Sequence, residues 1–310
     1  MIALIHEYRG GILENVHPGR ICVVGEPGDL ICAAGEPSAM TYFRSTSKPV
    51  QALPVIIRGL PEKYGLTGME TTILAASHAG EPVHIKTIRG LLEKTGFKED
   101  DMIVGVSHNC SGKHVGTMML QNHLTGSHNG YWERDSAAQK EILSMISYMT
   151  DVPSKDIAIG IDGCGVPVFA VPQKNIALAY MRLACPAKIN RPEVRRAAVL
   201  MARLMNENPL MIDGTGSLCS LLNEDPNIIA KGGAQGVYAF GLKKERLGVS
   251  IKNEDGNEWT WPIIIAEILR QLAYSNREVV EKLERHTQKD IFNDNNIKIG
   301  EVCPVFALRG

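Results

Sequence analysis

Strand-like segments lie at both ends of this chain, and most of what separates them has helical periodicity. Near the start, Ile21-Cys22-Val23-Val24-Gly25-Glu26-Pro27 recurs loosely as Ile31-Cys32-Ala33-Ala34-Gly35-Glu36-Pro37. Two short apolar runs split by Gly-Glu-Pro-Gly-Asp read as a β-hairpin, with Cys22 and Cys32 as small core residues. Near the end, strand-like runs at 236–242 and 247–252 precede the turn Asn253-Glu254-Asp255-Gly256-Asn257, and a last strand is expected at 299–308. Between the ends, helical patterns cover 82–95, the stretch from Ser111 through Leu120 with Ser111 as its cap, 136–149, 175–184, 192–206 and 216–223. Helices near 262–273 and 276–285 follow, and a helix from Lys48 should kink or end early at Pro54. Two further apolar stretches, 157–159 and 166–170, flank a Gly-Ile-Asp-Gly-Cys-Gly turn. This order predicts an α/β (α+β) fold in which one antiparallel sheet, assembled from both chain ends, is flanked by helices; a doubly wound parallel sheet would alternate strand and helix throughout. With no linker or low-complexity tract, residues 1–310 read as a single domain.

Composition narrows the function classes. Of 310 residues, 44% are hydrophobic and 22% charged, with 33 Lys and Arg against 34 Asp and Glu. A net charge of −1 argues against a nucleic-acid binder, which shows a basic stripe. No apolar run approaches the roughly 18 residues that span a membrane, and the early charges at Glu7 and Arg9 do not fit a signal peptide. Seven cysteines form no disulfide-like framework, so a cytoplasmic protein with reduced thiols is expected.

Five segments are rich in reactive groups. In Phe43-Arg44-Ser45-Thr46-Ser47-Lys48 a serine and a lysine stand three residues apart, on one helical face. A neutral lysine amine can take the serine proton, so the pair can form nucleophile and base without histidine if the lysine pKa falls well below about 10.4. Taken alone, the spacing also fits a helix-start serine and a surface lysine. Ser77-His78-Ala79-Gly80-Glu81 reads equally as a pocket-facing turn or as a helix start capped by Ser77. His108-Asn109-Cys110-Ser111-Gly112-Lys113-His114 and Gly160-Ile161-Asp162-Gly163-Cys164-Gly165 bring two cysteines into glycine-rich turns. Those residue types suit zinc, with Cys110, Cys164, His114 and His108 as donors, or else they are two buried structural cysteines. His123 and His128 read as surface residues. In Lys231-Gly232-Gly233-Ala234-Gln235-Gly236 the glycines permit close approach to a ligand, but the lysine precedes them, unlike a phosphate loop.

Taken together, Arg-Ser-x-x-Lys-Pro-x-Gln (44–51), Ser-His-x-Gly-Glu (77–81), Asn-Cys-Ser-Gly-Lys-His (109–114), Asp-Gly-Cys-Gly-x-Pro (162–167) and Lys-x-Gly-Ala-x-Gly (231–236) resemble the motif set of the rhizobial-type L-asparaginases. The resemblance implies a fold similar to serine β-lactamases and glutaminases, and hydrolysis of the side-chain amide of L-asparagine through an acyl-enzyme. It implies Ser45 as nucleophile with Lys48 as partner, and Ser77 with Lys231 as a second Ser–Lys pair. Arg44, His78 and Asp162 match substrate-pocket or supporting positions. Cys110, Lys113 and Cys164 match a metal site, usually zinc, in which a neutral lysine replaces His114 as third ligand. A homodimer and a small-molecule amide substrate are implied as well.

Physical chemistry agrees with that assignment. Two lysines in one closed pocket repel each other and lose hydration, and both effects lower their pKa values. Backbone amides beside Ser45 are natural oxyanion donors, and Arg44 and Asp162 have the charges a free amino acid needs. The chain also departs from the pattern. Gln235 stands where glutamate is expected, 214–220 lacks the expected charged residues, and no arginine follows Glu254-Asp255-Gly256, where Trp259 and Trp261 occur instead. Two alternatives therefore accompany the asparaginase reading: a related serine amidohydrolase for glutamine or another small amide, and a zinc-binding homologue without catalysis.

Overall fold

The computed structural model of the chain describes residues 1–287 and 289–310. Eleven strands occur in it: β1 (Ile2–Arg9), β2 (Ile12–Val24), β3 (Leu30–Ala34), β4 (Met40–Tyr42), β5 (Ala158–Ile161), β6 (Pro167–Pro172), β7 (Ile228–Gly232), β8 (Val237–Leu242), β9 (Leu247–Asn253), β10 (Asp290–Phe292) and β11 (Lys298–Pro304). The main sheet is antiparallel and runs β10-β11-β1-β2-β9-β8-β7, joining both chain ends as the strand distribution predicts. β2 is its longest strand and serves three partners. β1 pairs along its first part, from Arg9 with Ile12 to Ile2 with Gly19, and β3 along its last, from Ile21 with Ala34 to Val24 with Leu30. The opposite edge of that last part pairs with β9, which closes the sheet between the two chain ends. The β2–β3 pairing is the hairpin that the repeated Gly-Glu-Pro motif suggests.

β8 is buried along its whole length, which is why it reads as a continuous apolar run rather than as an alternating one; β7 is buried as well, although it carries Lys231. Helix Gln173–Ala184 lies across β2, β8 and β9. It comes so close that a Cβ on Gly248 would fall on the carbonyl oxygen of Ala177. Only glycine fits there. In the helical layer, helix Ser111–Thr125 is buried from Ser111 to Gln121 and packs on helices Pro82–Thr95 and Ala137–Thr150. Surrounded by protein, it shows little amphipathic pattern.

Two expectations need correction. The middle strands do not join the main sheet: β4, β6 and β5 form a separate three-stranded sheet. β4 leads directly into the Arg44 turn, and β5 and β6 flank the Asp162 turn, so this small sheet brings those two motifs together. Ser111 is not a cap either. Cys110 occupies the N-cap, and Ser111 is the first helical residue.

Candidate active site

Arg44 begins the site in a strained conformation. Its φ of 50° is left-handed, which costs a non-glycine residue on the order of 1 kcal/mol and persists only where surroundings enforce it. The enforcing contacts are plain. Phe43 N–H donates to the Phe169 carbonyl of β6 at 2.8 Å, and Thr46 and Ser47 hydroxyls donate back to the carbonyls of Phe43 and Arg44 at 2.5 and 2.6 Å. From the far side, the buried Tyr180 hydroxyl donates to the Thr46 carbonyl at 2.8 Å. A short 3-10 turn, Arg44–Ser47, then passes into helix Lys48–Gln51, and the chain bends again at Ala52 before Pro54.

Lys48 is fully buried, with 0% exposure. Its Nζ lies 2.6 Å from the Ala76 carbonyl, 2.9 Å from Ser77 Oγ and 3.3 Å from the Asn109 carbonyl. Burial, with smaller contributions from Lys113 and Lys231, pulls its pKa down to about 8 against an opposing pull from Cys110. The Ser45 hydroxyl, in contrast, makes no hydrogen bond to either lysine among the described residues.

Ser45, Ser77, Asn109 and Lys231 face one cavity of about 210 Å³. Lys231, in β7, is 1% exposed and spends one N–H on the Gly232 carbonyl at 2.7 Å. Gly232, Gly233 and Ala234 of the same motif add to the wall, and Trp261 stands there too; Asp213, Leu218, Cys219, Tyr238 and Glu258 are residues that sequence reasoning missed. Asp213 and Glu258 carry no motif that would have marked them. Only the fold brings the loop after helix Pro209–Ile212 and the turn after β9 to the same cavity.

The Ser77–Glu81 segment is a loop clamped at both ends. Ser77 N–H and Ala79 N–H donate to the carbonyls of Ile212 and Asp213 at 2.8 and 2.6 Å, and the Glu81 carboxylate accepts from Thr215 N–H and hydroxyl at 2.7 and 3.0 Å. His78 is buried, which lowers its pKa to about 4 and keeps it neutral. Its Nδ1 accepts from Gly80 N–H at 3.1 Å, so Nε2 bears the proton and donates to Ser111 Oγ at 2.8 Å. His78 is thus a strut beneath the loop, outside the cavity wall.

Cys110, Lys113 and Cys164 do converge. The two thiols lie close enough to influence each other's ionisation, and Lys113 Nζ donates to Cys164 Sγ at 3.0 Å. The neighbouring Cys164 thiol, with Lys48 and Lys113 nearby, draws the Cys110 thiol down to about 4, while Cys110 and burial push Cys164 up. Thiolate character in a buried nitrogen–sulfur set fits a soft divalent cation. Among the described residues no group of three or more His, Cys, Asp and Glu side chains is gathered for a metal, so a site here would need lysine as its third ligand. His108 is exposed, with Nδ1 occupied by the Cys110 N–H at 3.0 Å, and His114 is buried against the Tyr131 hydroxyl at 2.8 Å. His123 is exposed and His128 half-buried against Phe97. Arg44 and Asp162 stand beside the cavity, joined to each other by an ion pair at 3.0 Å.

No helix among the described residues is long and apolar enough to cross a membrane. The chain is similar in structure to a glutaminase from Bacillus, at 16% identity and a TM-score of 0.44, over 83% of this chain and 92% of that one. It is likewise similar to a β-lactamase of Mycobacterium bovis, at 13% identity and a TM-score of 0.45, over 82% and 95% of the two chains. No curated protein sequence matches it. The family model described as L-asparaginase II matches residues 5–108 and 104–304, a span that takes in all five motifs and every cavity residue described above, and the chain therefore belongs to the L-asparaginase II family of amide-hydrolysing enzymes.

Proposed function

We propose that the protein hydrolyses the side-chain amide of L-asparagine, with Ser45 as nucleophile and lysine as base. One observation supports this reading above all. A buried lysine with its pKa drawn to about 8 holds Ser77 at 2.9 Å, and both serines open into a cavity of small-molecule size. Three acceptors surround Lys48 Nζ and suit the three donors of an ammonium, while the lowered pKa brings the neutral amine within reach. In that neutral form two N–H groups would donate to the Ala76 and Asn109 carbonyls, and the lone pair would be free to take the Ser77 hydroxyl proton. In this reading Ser77 relays the Ser45 proton to Lys48, and Lys231 stands ready on the other wall. The Ser45 oxygen attacks the amide carbon, ammonia leaves with a returned proton, and water, activated by the same relay, hydrolyses the ester.

Cys110, Lys113 and Cys164 would hold zinc, which when bound keeps the thiolates ionised and braces the segment that supplies the Asn109 carbonyl to Lys48. The glutamate missing at 235 does not leave the cavity without a carboxylate. Glu258 lies there, its Oε1 accepting the Gln235 N–H at 3.1 Å. That favours a working amidohydrolase over a homologue that has lost catalysis. The test is ammonia release from asparagine, glutamine and a panel of small amides, for the native chain and Ser45→Ala. Native turnover that is lost in Ser45→Ala supports the reading, and equal activity in the two proteins sinks the nucleophile assignment.

A further inference from the structure

The cavity carries more negative charge than Ser–Lys chemistry needs. Two carboxylates, Asp213 and Glu258, line it beside a single lysine, Lys231. Asp213 is half-buried and its carboxylate has no hydrogen-bond or ion-pair partner among the described residues. Glu258 stands at the rim, held by one N–H from Gln235, whose own φ of 60° shows that the turn is constrained to present that N–H. Lys231 cannot neutralise both acids, and two of its three donor positions are unspent on protein. Arg44 and Asp162, the pair with the right charges for an amino acid, are engaged with each other. Tyr238 and Trp261 add an aromatic wall, with ring centroids 5.0 Å apart. Carboxylates next to aromatic faces are the surroundings a small organic ammonium prefers.

We infer that Asp213 and Glu258 bind the ammonium group of the substrate, so that the cavity selects amides with a free amine near the scissile bond. This rests on the amidohydrolase reading and names its substrate class. It also explains how a chain with glutamine at 235 keeps an anionic pocket: the negative charge comes from the turn after β9 and from the loop before helix Leu218–Asn223.

The experiment compares L-asparagine with its Nα-acetyl derivative, which keeps the amide and loses the cation. Kinetics are paired with calorimetric binding of L-aspartate and N-acetyl-L-aspartate, to the native protein, Glu258→Gln, Glu258→Asp and Asp213→Asn. The native protein should favour the free ammonium, and each neutral variant should raise KM for asparagine about tenfold or more with kcat little changed. Nα-acetyl turnover should fall much less than asparagine turnover, so that the native preference for the free amine shrinks, and Glu258→Asp should restore the preference. Equal native affinity for aspartate and its acetyl form overturns the inference, as does an undiminished preference in Glu258→Gln, whose rim position leaves folding intact. Ammonium-selective binding without hydrolysis would overturn the catalytic reading alone, and hydrolysis of both amides at equal rates would overturn this inference alone.

Discussion

Lys48 Nζ lies 2.9 Å from Ser77 Oγ, 29 residues along the chain, and makes no bond to Ser45, only three residues away. The Arg44 turn explains the choice. It presents Ser45 to the cavity, while the lysine stem runs inward to two carbonyls and the Ser77 hydroxyl. The two residues of the local Ser-x-x-Lys spacing do not hydrogen-bond each other, and Lys48 pairs with Ser77 instead.

If Lys48 works through Ser77, the two act as one unit. Lys48→Met and Ser77→Ala should each lower kcat by about 10²–10⁴-fold, and the double variant should lose little more than the worse single one. Lys48→Arg should not rescue, because a guanidinium cannot give up its proton. A steady-state double-mutant cycle checks this, and additive losses would separate Ser77 from Lys48.

The sulfur cluster makes a second prediction. Cys110→Ser removes the thiol most easily ionised, so bound zinc measured by elemental analysis should fall from near one per chain to near zero. Lys113→Met should weaken retention as well, since it removes the third donor. Metal content unchanged by Cys110→Ser would show that any bound zinc sits elsewhere.

How much of this was legible in the sequence depends on chain distance. The β2–β3 hairpin and the helix runs are local patterns, and each is found within a few residues of where its spacing places it. What was not legible came from pairings across long separations. The small sheet needs Met40–Tyr42 to meet Pro167–Pro172, and Tyr42 alone, half-exposed on a three-residue strand, gives no period to read. Helix Ser111–Thr125 looked capped by serine because a hydroxyl at a helix start is usually a cap, whereas here His78 and the Val106 carbonyl claim that hydroxyl. Asp213 and Glu258 stayed hidden because a lone carboxylate in a turn resembles any solvated one.

Gly112 sets the spacing between the helix that carries Lys113 and the segment that ends at Ser77. A Cβ there would fall on the Ile73 carbonyl oxygen, a backbone atom that cannot rotate away. Gly112→Ala should cost roughly 3 kcal/mol of stability, read as a lower denaturant midpoint, and should impair catalysis in the fraction that folds. A midpoint within error of the native one would mean that the two segments separate freely.

His17 predicts a pH dependence away from the active site. Its ring joins β2 to the turn after β9, with Nε2 2.5 Å from Glu7 and Nδ1 2.6 Å from Asp255. Burial by itself lowers its pKa, but the two carboxylate hydrogen bonds together outweigh that, and the net shift is upward. The folded state therefore holds the proton more tightly than the unfolded chain, whose histidine titrates near about 6.5. The stabilisation is complete below that value and is lost as pH rises through the raised folded value. Water reaches the pair, so the contribution is about 1 kcal/mol at most. His17→Gln should lower Tm at pH 6 by a few degrees, and the gap between the two proteins should narrow as pH climbs through the raised folded value. A gap that stays constant from pH 6 to 9 would show that His17 is not charged in the folded protein.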